Sequence, residues 1–359
     1  MKRLNKMWLF LIVCGAMITL LPLPAHSNPL DPYIQAAKKE GEVRIGVPLR
    51  NKVHGKPAGE LYFAAFQKRY PFLKVNFKRI GGSQERERLF NEMVAGIYNF
   101  DVAVASETTV PTIMAAKLPL IVEWEKLGVL NMLTHPENMG VHFRTMIYGI
   151  AYNRDLVPDE VARTFTWETC TDPKWKGKTA MDDRPRHLIR LFRDESWGRE
   201  KTLDYVIRWA ANKPAVEASR STGASKLAAG AYHMICGAAR DQVRDLEVFG
   251  ENKSIGIVFP EPVPVLKGAP AYVLNKAKHP NAGILFLVWT GTQEGQKILD
   301  DINFSGHPAF DGTEANKILK GKQLSYATSN DTLTADDDLV EILRAFGMPV
   351  VRSKAKKKK

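Results

Sequence analysis

GEVRIGVPLR (Gly41–Arg50) is followed, after a short connection, by ELYFAAFQKRYPFLKVNFKRIGGSQERERLFNEMVAGIYNFDVAVASE (Glu60–Glu107). The run reads as strand, amphipathic helix, strand, Gly-Gly-Ser turn, helix and strand. Strands and helices alternating in this way build a doubly wound sheet, whose strand ends and helix starts face one crevice.

Outward from this unit, the chain opens with Lys2, Arg3 and Lys6 before an uncharged run from Met7 to Leu21, then Pro22, Pro24 and Ala25-His26-Ser27. A basic start, an apolar core and small residues before a break are the pattern of a cleaved secretion signal, with cleavage expected after Ser27. As a helix the run would span only ~22 Å, short of the ~30 Å hydrocarbon core of a bilayer. Residues 1–27 are therefore read as a signal peptide, and the mature protein is expected in the periplasm.

The net charge of +12 is misleading as a nucleic-acid signal. Three positive charges lie in the signal, and six lie in the tail at Arg352, Lys354 and Lys356 to Lys359. Neither segment holds an acid, so the body carries only +3 of the +12. The tail, residues 352–359, reads as a solvated basic end, and no nucleic-acid partner is expected. The mature chain of about 330 residues is long enough for two cores. Of its cysteines, Cys170 and Cys236 remain after processing. They either pair across a loop of roughly 66 residues, contributing on the order of 4 kcal/mol in the chain-entropy model, or stay as separate buried thiols.

Val141 to Asn153 (VHFRTMIYGIAYN) is rich in β-formers, and Lys178 to Met181, Tyr232 to Cys236, Ser254 to Phe259 and Ala271 to Asn275 also read as strands. Arg186 to Asn212 and Pro280 to Asp300 each read as one long helix. The Pro- and Gly-dense stretch from Pro260 to Pro270 reads as an irregular crossover between lobes.

These segments, in this order, resemble type 2 periplasmic solute-binding proteins of ABC importers. The first unit and YNFDVAVASE resemble the first half of that fold, and YGIAYNRDLVPDE with DPKWKGKTAMDD resembles its second lobe. VFPEPVPVLKGAPAYVLNKAKHPNAGILFLVWTGTQEGQ resembles its return to the first lobe. The DPKWKGK and KAKHPNA segments are similar to the branch that includes ferric-ion-binding proteins. The resemblance implies an α/β fold of two lobes, each a doubly wound mixed sheet flanked by helices, with a ligand cleft between them. Its expected division is residues 28–140 and 264–351 in lobe 1 and 141–263 in lobe 2. It further implies a monomeric, non-enzymatic receptor without cofactor that closes on its solute and presents it to an inner-membrane permease.

Loops at the strand ends are the expected ligand contacts. Arg50 follows the first strand. Ser83 opens a helix after two glycines, where free N–H groups favour an anion, although it also reads as a plain N-cap. Ser106 follows the third strand, Asp183 and Arg184 follow a second-lobe strand, and Ser221 and Thr222 precede a helix. Tyr232 and His233 stand where the ferric-binding branch is expected to place two tyrosines, since paired phenolates suit a hard cation. One tyrosine is replaced by histidine here. Arg50, Arg79, Arg86, Arg184 and Arg186 near these loops favour an organic or phosphonate-type anion instead, because guanidinium forks match carboxylates and phosphates. The alternatives are a ferric-ion or other metal carrier, with Tyr232 and His233 as metal ligands, and a ligand-sensing module for a membrane signalling partner. A nucleophile elbow, a zinc helix and a phosphate loop ending in Gly-Lys-Ser/Thr are all missing from the sequence, which speaks against a hydrolase or the ATPase.

Overall fold

The computed structural model describes residues 28–50, 52–80, 83–105, 109–328 and 331–349. The signal segment, Gly81, Gly82, Ser106 and the basic tail lie outside the described residues.

After helix α1 (Asp31–Glu40), strand β1 (Glu42–Val47) runs parallel between β4 (Lys74–Arg79) and β5 (Val102–Val104). A small hairpin of β2 (Lys52–Val53) and β3 (Lys56–Pro57) follows β1. Helices α2 (Ala58–Arg69) and α3 (Ser83–Val94) make the crossovers, and α4 (Val110–Ala115) follows β5. In α2 the apolar face is Tyr62, Phe63 and Phe66, at helical spacing and buried. It packs on α10 (Pro280–Thr290), with Tyr62 and Trp289 ring centres 4.9 Å apart and Phe66 and Phe286 5.3 Å apart.

Strand β6 (Val141–Asn153) then crosses the molecule. Its first half pairs antiparallel with β11 (Val263–Val273), and its second half pairs with β9 (Met234–Ala239) and β10 (Ile255–Val258). The register shifts between Gly149 and Ile150. Gly149 is required there, since a Cβ would sit 2.2 Å from the Val258 carbonyl oxygen. Parallel strands β7 (Thr179–Asp182) and β8 (Ala215–Glu217) extend this side, β7 pairing with β9. Helices α5 (Asp159–Ala162), α6 (Arg186–Phe192), α7 (Gly198–Ala211), α8 (Arg220–Ala228) and α9 (Arg240–Arg244) flank it. The result is a ten-stranded mixed sheet in the order β4-β1-β5-β11-β6-β9-β7-β8, with β10 on β6 and β12 (Leu324–Tyr326) on β11. Separate apolar clusters lie around Phe66 and Trp289 on one side and Trp167 and Trp209 on the other, as expected of two lobes. Cys170 and Cys236 are joined as a disulfide within the second cluster.

Four local expectations change. The Pro260–Pro270 stretch is mostly regular strand, because Pro264 lies next to the start of β11 and Pro270 still offers its carbonyl to the Ala105 N–H at 2.8 Å. The helix read from Pro280 to Asp300 divides into α10 and α11 (Gln293–Asn303), where the Thr292 hydroxyl caps the new start by accepting the Gly295 N–H at 3.2 Å. The helix read from Arg186 to Asn212 divides into α6 and α7, with Asp194 accepting the Ser196 N–H at 2.9 Å in the turn between them. Finally, α13 (Asp331–Ala345) packs on α6 and α7 rather than on lobe 1, because Ile342, Leu339 and Phe346 join the cluster of Trp209 and Leu191.

The sides are tied by a buried charge cluster. Arg240, at the start of α9, is fully buried. It donates to Asp300 of α11 at 2.7 and 3.2 Å, to Glu314 of α12 (Glu314–Leu319) at 2.8 Å and to the Phe304 carbonyl at 2.9 Å. Removing one partner of a buried ion pair costs about 3–5 kcal/mol, because the remaining charge stays desolvated. Asp300→Asn is expected to lose stability on that scale in urea denaturation; a loss below about 1 kcal/mol would show that Glu314 alone can hold Arg240.

Candidate functional site

Parallel strands β1 and β4 end on the same edge, so Pro48-Leu49-Arg50 and Arg79-Ile80 emerge side by side. Arg86 sits in the first turn of α3, just beyond them. Opposite, α9 and the π-helical turn Asp245–Phe249 present Asp241, Gln242 and Asp245, while β6 brings Arg144 across the floor. Together with Asn303 at the end of α11, these residues line a cleft of about 250 Å³. That is just below the roughly 300–1,000 Å³ of sites for drug-sized ligands.

Four arginines meet in this cleft. Arg79 donates Nε to the Leu49 carbonyl at 2.7 Å. Arg50 donates Nε to the Lys52 carbonyl at 2.7 Å, pairs with Asp245 and lies 3.9 Å above the Phe249 ring centre, so it reaches from one lobe onto the other. Arg86 and Arg144 each have an Nε buried without a hydrogen-bond partner. Burial lowers the proton affinity of both. Arg144 lowers that of Arg86 further, and Arg220 and Arg186 do the same to Arg144, with Asp241 opposing them. Guanidinium is nonetheless charged at any ordinary pH. Among the described lining residues, two carboxylates, Asp241 and Asp245, stand against the four positive charges. Asp241 is 7% exposed; its Oδ2 accepts the Gln242 side-chain N–H at 3.3 Å and its Oδ1 has no partner.

Of the residues singled out from sequence, Arg50 lines the cleft with Arg79 and Arg86. Ser83 is the first residue of α3, one turn before Arg86. Asp183 donates its N–H to the Glu217 carbonyl at 3.0 Å, and Arg184 is exposed with its Nε 3.7 Å from Asp183; neither lines the cavity. Ser221 and Thr222 lie inside the first turn of α8 rather than before it, because Ser219 is the cap and accepts the Thr222 N–H at 3.3 Å. Tyr232 donates its hydroxyl to Glu217, and His233 packs with its ring centre 5.8 Å from that of Trp175. Both precede the N-terminal end of β9, whereas its C-terminal end runs into Arg240 and Asp241. Among the described residues no group of three or more His, Cys, Asp or Glu side chains is arranged to hold a metal ion.

Sequence reasoning passed over Arg144, Asp241, Gln242, Asp245 and Asn303. A signal existed for two of them. Arg144 is the only lysine, arginine or acid in a buried thirteen-residue strand, and Asp241 comes two residues after the end of β9.

The arrangement is a two-lobed α/β fold with a cleft at the ends of the parallel strands. The chain belongs to the family of bacterial extracellular solute-binding proteins, whose model matches residues 62–322. Similar solved structures include a Trichodesmium protein (IdiA, FutA) in complex with iron and citrate, at 20% identity and a TM-score of 0.65, covering 86% of this chain and 100% of that one. Iron-bound HitA from Pseudomonas aeruginosa matches at 17% identity and 0.63, covering 86% and 99%. The spermidine/putrescine protein PotD from Streptococcus pneumoniae matches at 14% and 0.56, covering 85% and 99%. No curated protein matches the chain by sequence.

Beside the cleft, Arg220 faces Asp182 at 3.5 Å, and burial, aided by Asp183, pushes the Asp182 carboxyl up to about 6 from 3.8. The folded protein therefore binds a proton at this site at a pH where the unfolded chain does not. Stability from Asp182 rises as pH falls from about 6 towards 3.8, the reverse of a salt-bridged carboxylate. In melts across that window, wild type should gain on Asp182→Asn as the pH is lowered. Parallel curves would show that Asp182 titrates normally.

Proposed function

We propose that this chain captures a small anion between its lobes and hands it to an ABC permease in the inner membrane. One observation carries the reading: Arg50, Arg79, Arg86 and Arg144 converge on one small cleft, with Nε of Arg86 and Arg144 unpartnered. Buried guanidinium groups repel one another, and an anion between them supplies both the hydrogen bonds and the neutralising charge. The cleft walls come from both lobes, so a bound anion stabilises the closed arrangement by touching Arg86 on one side and Arg144 and α9 on the other. The family's extracellular class and the basic, apolar leader support a periplasmic location.

A bare ferric ion fits poorly. Trivalent cations take oxygen-rich, charge-neutralising ligands, and the described residues that line the cleft include no tyrosine, histidine or glutamate. The Trichodesmium neighbour, described with iron and citrate together, favours one second reading: iron carried inside a polycarboxylate chelate, which would enter an arginine cleft as an anion.

Native mass spectrometry of protein purified from its own periplasm, set against its denatured mass, tests both. An organic or phosphorus-containing excess is expected; iron with a carboxylate supports the second reading, and iron alone overturns the anion. Arg86→Ala and Arg144→Ala should each weaken binding of the identified ligand by about 1.5–3 kcal/mol, the value of a charge-assisted hydrogen bond, by calorimetry. Wild-type affinity in both variants would put the ligand elsewhere.

A further inference from the structure

Asp241 has no task in an anion site that the arginines alone could build. A carboxylate facing an anionic ligand repels it, yet Asp241 lines the cleft at 7% exposure, and its Oδ1 has no hydrogen-bond partner. Its charge acts on Arg144, yet Arg144 Nε and Asp241 Oδ1 are both without a hydrogen-bond partner. Gln242 satisfies only Oδ2. A desolvated acceptor without a partner, on a residue that lines a polar cleft, marks the place of a donor.

We propose that the ligand brings a hydrogen-bond donor together with its negative charge, and that Asp241 receives that donor while Arg86 and Arg144 hold the charge. The inference rests on the anion reading of the cleft and sharpens it to a chemical class. A monoprotonated phosphate or phosphonate qualifies, as does a hydroxycarboxylate, because each carries an O–H beside its anionic oxygens. Sulfate and plain polycarboxylates present only acceptors at neutral pH and place lone pairs against Asp241 Oδ1. Discrimination then comes mainly from repulsion of the wrong anion, which leaves Asp241 buried and unmatched. The cleft volume of about 250 Å³ limits the choice to small molecules.

The test uses two matched pairs that differ in the donor: inorganic phosphate against sulfate, and citrate against tricarballylate. Each is titrated by calorimetry into the mature full-length protein after its endogenous ligand has been removed. In at least one pair the donor-bearing member should bind about 10- to 150-fold more tightly, the ratio expected from one charge-assisted hydrogen bond. Asp241→Asn, which can donate as well as accept, should shrink that ratio to about threefold or less, chiefly by admitting the donor-free anion. Equal affinity within both pairs in wild type overturns the donor inference and leaves the anion reading standing. A preference that persists unchanged in Asp241→Asn assigns the donor to another residue and overturns the role of Asp241. Heat with none of the four probes counts against the anion reading and removes the inference with it. The wild-type comparison decides the first point even if the variant fails to fold.

Discussion

Arg240 and Asp300 meet where no water reaches either of them, and the geometry of the cleft follows from that contact. Arg240 is the first residue of α9, and Asp241 and the Asp245 turn follow it directly. Asp300 in turn accepts the Gly306 N–H at 3.0 Å and the Ala315 N–H at 3.1 Å, so the carboxylate is fixed from its own lobe before Arg240 arrives. Buried ions are tolerable when most of their hydrogen-bonding capacity is met, and here two carboxylates and one carbonyl accept from the terminal nitrogens of one guanidinium while its Nε has no partner. A helix anchored through its first residue cannot rotate, so the next residue's carboxylate has a fixed address at the cleft wall. Packing alone would not fix that rotation, because α9 buries a single apolar side chain, Val243.

The same anchoring constrains how the lobes can move. Strand β6 runs through both halves, side by side with β11 over residues 141–147 and with β9 and β10 beyond, and its register on β9 shifts at Gly149–Ile150 just past that change of neighbours. In the closure proposed above, these strands would bend as a paired ribbon rather than swing as a loose linker. Arg50 supplies the contact on the far side of the cleft. Its partners there are weak on their own: Asp245 is 43% exposed, so the ion pair is partly screened. A ligand that takes the Arg50 fork competes with Asp245 for it. The latch is thus part of the binding equilibrium.

Much of this architecture was legible in the sequence, for identifiable reasons. The β1–α2–β4–α3–β5 order could be read because Tyr62, Phe63 and Phe66 repeat at helical spacing between two short β-rich runs. Strand β6 could be read because β-branched and aromatic residues fill it. The misreadings share a cause: local pattern was overruled by a single polar group or a distant neighbour. Thr292 and Asp194 break helices whose apolar periodicity continues past them, and Pro270 sits in a strand because its carbonyl, not its missing N–H, meets the neighbour. Tyr232 and His233 drew attention through the resemblance to the ferric-binding branch; β9 starts after them and delivers its other end, Arg240 and Asp241, to the cleft. Arg144 and Asp241 lie 97 residues apart in the chain, and no pattern along the sequence brings them together; the pairing of β6 with β9 does.

Ligand chemistry in this fold is set by the few side chains at the strand ends. Proteins described with iron, and one named for spermidine and putrescine, share the architecture at under 25% identity, so the fold by itself leaves the charge of the solute open. The sign of the cleft here comes from residues that the fold does not require. Strand β6 would pair equally well with an apolar residue at position 144, and α3 would start equally well with a lysine or glutamine at 86. Charge at such positions is a cost to the empty protein, since mutually repelling guanidinium groups oppose closure of the lobes around them. In the anion reading proposed above, a bound anion would remove that repulsion, biasing the unliganded protein towards opening and the liganded one towards closing. The buried arginines would then provide both affinity and the means of coupling it to shape.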